Sequence, residues 1–223
     1  ERYPRPIERD LAICDEDGVD LVFAPSDEAM YLTNHTTWVE VGELSQKMCG
    51  MSRPGHFRGV TTVVSKLFNI FAPDRAYFGL KDLQQVVVIE RMVRDLNFPV
   101  KIVRCPIVRE PDGLAMSSRN VYLSPEERKA ALCLHEALLA FEQEVASGER
   151  RARVLMETMA EQVIAEPRAI LDYVAIVDAH TLEDVEEVRG ETAAALAAWV
   201  GNTRLIDNTI VNVGPDARPE GGT

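Results

Sequence analysis

The segment from Arg75 to Val108 constrains the fold more than any other part of the chain. An apolar run, Arg75–Gly79, is followed by helical spacing over Asp82–Leu96 with Leu83, Val86, Val87, Met92 and Val93 on one face. A second apolar run, Val100–Val108, comes next. Two strands joined by a helix long enough to cross over must lie parallel in one sheet. The spacing therefore predicts a β-α-β unit with Val100–Val108 as a buried strand. The helix before it is written in Val60, Val63, Val64, Leu67, Phe68 and Phe71, an i, i+3, i+4, i+7 stripe ended by Pro73.

Weaker signals precede this unit. Pro6–Glu16 reads as a polar helix, Val19–Ala24 as a short strand ended by Pro25, and Trp38–Val41 as another strand. After Arg109 the texture changes. Glu110–Asn120 is a loop, and Ser124, Pro125 and Glu127 spell a capping box at the start of a helix reaching about Ser147. A second helix spans about Arg151–Ala165. Ile170–Val177, Ala193–Val200 and Arg204–Val211 read as strands separated by Gly and Asn turns. The expected organisation is a parallel α/β domain over 1–108 and a small α+β domain with an antiparallel sheet over 109–213. The Gly- and Pro-rich tail 214–223 is expected to be disordered.

Net charge is −12, which argues against a general nucleic-acid or membrane-surface binder. Residues 41–110 nevertheless carry eleven Lys or Arg against six Asp or Glu, a basic middle that points to a local anion site. No uncharged stretch approaches the ~20 residues of a membrane span. With no signal segment visible, the expected location is the cytoplasm. The four cysteines form no Cys-x-x-Cys pair and the histidines complete no ligand set with them, so neither zinc nor redox chemistry is indicated and metal ligands stay unassigned.

Three segments have the composition of a working site. Gly79-Leu80-Lys81-Asp82 and Gln85 stand where a parallel strand gives way to a helix, the edge at which open α/β sheets bind ligands. Free N–H groups there favour phosphate. Gly79 would admit a ligand to the backbone, Lys81 would carry a mobile charge, Asp82 could accept from ribose hydroxyls, and Gln85 could bond a polar substrate. A plain strand-to-helix turn with Asp82 as N-cap accounts for the same letters. Met116-Ser117-Ser118-Arg119 sets two hydroxyls beside a guanidinium, a phosphate clamp or a solvated turn. Ser52-Arg53-Pro54-Gly55-His56-Phe57-Arg58-Gly59 is basic and precedes a helix, but lacks the spacing of a P-loop. Without a visible partner, His56 reads more readily as a structural hydrogen-bonder than as a catalyst.

Taken in order, these segments resemble the pantoate–β-alanine ligase family. The likeness rests on Tyr3-Pro4-Arg5, Val19–Pro25, Ser52–Val60, Gly79-x-Lys81-Asp82-x-Gln84-Gln85, Asp112–Asn120 and Thr203–Asn208, and runs to about Val213. The resemblance implies a Rossmann-like nucleotidyltransferase domain and a C-terminal lid. It implies ATP and Mg2+, with pantoate adenylated, pyrophosphate released, and β-alanine then displacing AMP. It assigns ATP contacts to Gly79, Leu80, Lys81, Asp82, Val108, Met116, Ser117, Ser118 and Arg119, with Lys81, Ser117, Ser118 and Arg119 catalytic. Gln85, Arg53 and Tyr3 fall on the substrate side, and a homodimer is implied.

The family pattern opens with a strand and a His-x-Gly-His turn that this sequence does not contain, and Leu80 stands where an acid or amide is common. The expectation is of a chain lacking at least one N-terminal β-α-β unit, with activity impaired accordingly. An adenylyltransferase for another small carboxylic acid and a non-catalytic nucleotide-binding fragment are the alternatives.

Overall fold

The computed structural model describes residues 6–214, so the expected tail lies outside the described residues except for Gly214. It comprises two compact units, residues 1–38 and 39–223.

In the first unit, α1 (Ile7–Glu16) buries none of its residues. A single turn, Asp27–Met30, is capped by the Ser26 side chain, which accepts from the Ala29 N–H. Tyr31, His35 and Trp38 stack edge to face at centroid separations of 5.2 and 5.0 Å. The expected strand Val19–Ala24 does not form: the segment is irregular, with a bend at Asp20, and Leu21 is 75% exposed. An apolar run becomes a strand only where a second strand pairs with it in a ladder, and no ladder includes this segment among the described residues.

The expected strand Trp38–Val41 is irregular, and Val39, the first residue of the second unit, lies in it. Its backbone is held instead by α2 (His56–Phe71), whose Thr62 hydroxyl accepts from the Val39 N–H at 3.0 Å. Then follow β1 (Arg75–Gly79), α3 (Leu83–Asp95) and β2 (Lys101–Cys105). The strands are parallel, from Arg75 opposite Lys101 to Gly79 opposite Cys105. Val64, Phe68, Ile89, Met92 and Val100 form a core between α2, α3 and this sheet. The expectation of a long buried strand over Val100–Val108 fails in two ways. Pairing stops at Cys105, and Val108 is 63% exposed. Parallel sheets become continuously apolar when both faces are covered, whereas alternate residues of β1 lie exposed.

The rest of the unit is one three-stranded antiparallel sheet with helices against it. The capping box forms as read, with Ser124 and Glu127 exchanging backbone bonds at 3.2 and 2.8 Å. The helix it starts is divided at Ala131 into α4 (Pro125–Ala130) and α5 (Leu132–Ala146), and α6 (Ala152–Ile164) follows. Strands β3 (Ala169–Asp178), β4 (Gly190–Val200) and β5 (Thr203–Val213) lie in sequence order with β4 central. The apolar run Ala193–Val200 is explained by burial on both faces. Ala194, Leu196, Ala198 and Val200 join Phe141, Leu155 and Met159 in one core, while Ala193 and Ala195 join Met48, Leu83 and Val87 in another. No described helix is long and apolar enough to cross a membrane.

Candidate active site

At the end of β1 the chain makes one 3-10 turn, Leu80–Asp82, before α3 begins at Leu83. Gly79 is extended, with φ −73°, so glycine is not required there by conformation. A Cβ at Gly79 would meet nothing within 4 Å, leaving the backbone open to close approach. Asp82 stands at the N-cap of α3 but its carboxylate makes no cap bond, so capping does not account for its presence. Lys81 is half-buried. Burial holds its ammonium below the ordinary lysine range, and the Asp82 and Asp207 carboxylates offset part of that effect.

Lys81, Asp82, Gln85, Arg53 and Arg119 line one narrow cleft. Three segments far apart in the chain are thereby brought together. Lys81 also lines a smaller adjoining cleft with Ser117, Asn120 and Asp207. Ser117 accepts from the Arg119 N–H at 3.2 Å and so shapes the turn that carries the guanidinium. Ser118 opens that turn without lining either cleft. Gly79, Leu80, Val108 and Met116 also stand outside both linings. The Val108 carbonyl accepts from the Met116 N–H at 2.9 Å, and Met116 is 50% exposed. Tyr3 lies outside the described residues.

Arg53 donates from Nη1 to Nε2 of His56 at 3.1 Å. Burial, with the Arg53 charge second, lowers the imidazole to about 4, so His56 is neutral here and serves as an acceptor. The structural reading of His56 thus has its missing partner. Two polar groups come from the C-terminal sheet, from positions to which the sequence attaches no role. The Arg204 guanidinium grips Asp172 with two bonds, of 3.0 and 2.6 Å. The Tyr173 hydroxyl stands 3.4 Å from Cys49 Sγ, and burial, reinforced by Cys49, raises its pKa above the ordinary phenol range. Arg109 grips Asp207 with two bonds, of 2.7 and 3.0 Å, and Asn208 beside it reaches the Lys81 turn. No local pattern reveals such pairings. Among the described residues no three His, Cys, Asp or Glu side chains are grouped to hold a metal ion.

The family model for pantoate-beta-alanine ligase matches residues 1–210. The pantothenate synthetase of Moorella thermoacetica is 57% identical over 212 residues, which span 95% of this chain and 75% of that protein. That of Acetivibrio thermocellus is 55% identical over 213 residues, 96% of this chain and 76% of its own length. Among solved structures, the pantothenate synthetase of Thermus thermophilus superposes with a TM-score of 0.91 at 48% identity, covering 96% of this chain and 77% of that one. A pantoate-beta-alanine ligase from Francisella tularensis, complexed with beta-gamma ATP and beta-alanine, gives a TM-score of 0.73 at 31% identity over 93% of this chain and 71% of its own. With its parallel β-α-β unit, its antiparallel C-terminal sheet and this degree of identity, the chain belongs to the pantoate–β-alanine ligase family.

Proposed function

We propose that the chain joins pantoate to β-alanine to give pantothenate, with ATP converted to AMP and pyrophosphate through a pantoyl-adenylate intermediate. The observation that carries this reading is the convergence of Lys81, Arg53 and Arg119 on one cleft at the end of a parallel strand, in an otherwise acidic protein. A carboxylate is a poor acyl donor, so the acid needs a leaving group. A pantoate carboxylate oxygen attacks the α-phosphorus and the bond to the departing pyrophosphate breaks. The β-alanine amine then attacks the acyl carbon, AMP leaves, and the nitrogen gives up a proton.

The residues divide the work by charge and position. Lys81, already partly desolvated, meets phosphate at the helix end, where its charge is strengthened by the reduced dielectric. Ser117, Ser118 and Arg119 bind the phosphates that leave, aided by the backbone of Gly79–Asp82, and Asp82 accepts from the ribose. Gln85 and Arg53 hold pantoate, Tyr3 is assigned to the same substrate by the family resemblance, and Val108 and Met116 border the adenine. The division near Arg109 separates an ATP- and pantoate-binding part, 1–108, from a lid, 109–213.

Mg2+ fits this site as a companion of the nucleotide. Asp82 is the one carboxylate in the clefts without an ion pair among the described residues, because Asp207 is committed to Arg109. A hard cation bound mainly by phosphates needs one or two protein carboxylates, and Asp82 would supply one. Bound there, the ion neutralises charge on the triphosphate. Cytoplasmic location and a homodimer complete the proposal.

The deciding experiment measures AMP released from ATP in the presence of pantoate and β-alanine. It is run on this chain and on a version extended upstream to the start of its gene. Release that requires both acids establishes the ligase. Folded protein of both lengths that binds ATP yet releases no AMP overturns the reading in favour of another acid substrate or a binding role.

A further inference from the structure

Asn208 is 3% exposed, in the middle of β5 and paired with Ala195 of β4, a position where a polar side chain is costly. Its side-chain amide explains the burial. Nδ2 donates to the carbonyl of Leu80 at 2.9 Å and to that of Lys81 at 3.0 Å, so both amide hydrogens are used on one turn. Oδ1 is buried with no partner among the described residues. A group that leaves its own acceptor unsatisfied in order to bond two successive carbonyls is specified by those carbonyls and not by the sheet.

The same point of β5 holds the second phosphate-facing segment. Arg109 bonds both oxygens of Asp207, the Gly113 carbonyl at 3.0 Å and the Asn208 carbonyl at 3.4 Å. Gly113 opens the stretch leading to Ser117 and Arg119, and Asp207 Oδ1 accepts from the Asn208 N–H at 2.8 Å. Two adjacent residues of one strand thus tie down both the Lys81 turn and the Ser117–Arg119 loop. The lysine side chain has four rotatable bonds, so where its ammonium reaches depends on how firmly its backbone is anchored.

We propose that Asn208 is a positioning residue for Lys81, fixing the lysine backbone at the distance from the Ser117–Arg119 loop that pyrophosphate departure requires. This rests on the functional reading of Lys81 given above. The role is distinct from binding, because Asn208 spends its donors on backbone carbonyls. Its loss should lower turnover and leave substrate affinity nearly intact.

The test is pantoate-dependent pyrophosphate exchange in the full chain, with Asn208→Ala and the near-isosteric Asn208→Asp, alone and combined with Lys81→Ala. Misplacing a catalytic group by about 1 Å costs up to about a hundredfold, so each single variant should lose about ten- to a hundredfold in kcat, with the KM for ATP changed less than about threefold. In the Lys81→Ala background, Asn208→Ala should cost less than about twofold more, because the group it positions is gone. Wild-type kcat in a folded single variant, an undiminished loss in the double variant, or loss of fold in both single variants overturns the inference. If Lys81→Ala itself exchanges at the wild-type rate, the functional reading of Lys81 has failed. If Lys81→Ala is impaired and Asn208→Ala is not, only the positioning role has failed.

Discussion

Arg53 and His56 flank the Pro54-Gly55 turn and share a hydrogen bond of 3.1 Å in which the imidazole can only accept. The pairing makes the folded protein resist protonation of His56, whose pKa falls from 6.5 to about 4 through burial and the neighbouring guanidinium. Below 6.5 the unfolded chain takes up a proton that the folded chain refuses, so this site stabilises less as pH falls from 6.5 towards 4. His56→Gln should remove that contribution. Comparing wild type and variant by urea unfolding at neutral pH and at about pH 5 should show about 1 kcal/mol less loss in the variant, after allowance for solvent screening. Equal losses would show that His56 titrates normally.

Lys81→Ala should lower pantoate-dependent pyrophosphate exchange by about 10²- to 10³-fold, the scale of removing one preorganised charge from a phosphate site. The circular dichroism spectrum should be unchanged, because the lysine carbonyl, which Asn208 grips, is retained. An unaltered exchange rate would remove Lys81 from the site.

Ser117 and Ser118 should separate in kind. Ser118→Ala, losing one hydroxyl offered to phosphate, should cost about tenfold in exchange. Ser117→Ala also frees the Arg119 N–H from its 3.2 Å bond and loosens the turn beneath the guanidinium, so it should cost more. Proteolysis rates within 114–122 should rise for Ser117→Ala alone. Equal effects on both readouts would show that the Ser117 bond does not organise the loop.

Asp207 is 2% exposed and its partner Arg109 about a quarter exposed. Removing one member strands the other, so Asp207→Ala should cost about 3 kcal/mol in urea unfolding. Combining it with Arg109→Met should cost less than the sum of the two single variants. Additive losses would mean that the pair is not coupled.

How much of this was legible in the sequence depends on the range of the interaction. The Ser124 capping box spans three positions and forms as written, and the apolar stripe of α2 and the three strands of the C-terminal sheet emerge close to their expected bounds. The strand-to-helix turn at Gly79–Asp82 was readable for the same reason. Val19–Ala24 forms no strand, and Val100–Val108 forms one only over Lys101–Cys105, because apolar composition records what a segment could pair with, and pairing is settled elsewhere in the chain. Gln84 reads as the polar neighbour of Gln85, yet it is buried, donating to the carbonyls of Leu44 and Lys47 at 2.9 and 2.7 Å. Asn208 lies 127 residues from Lys81, a separation that no spacing rule covers. Only the Thr203–Asn208 motif hinted that something there mattered.

The placement of β4 bears on how the molecule comes apart. Its alternate residues belong to different cores, one against α5 and α6 and one against α3 and Met48. Neither core can lose its side of that strand without uncovering the other. The two cores are therefore a single cooperative unit, and the amide hydrogens of Ala194–Ala198 should exchange with solvent only when the whole unit opens.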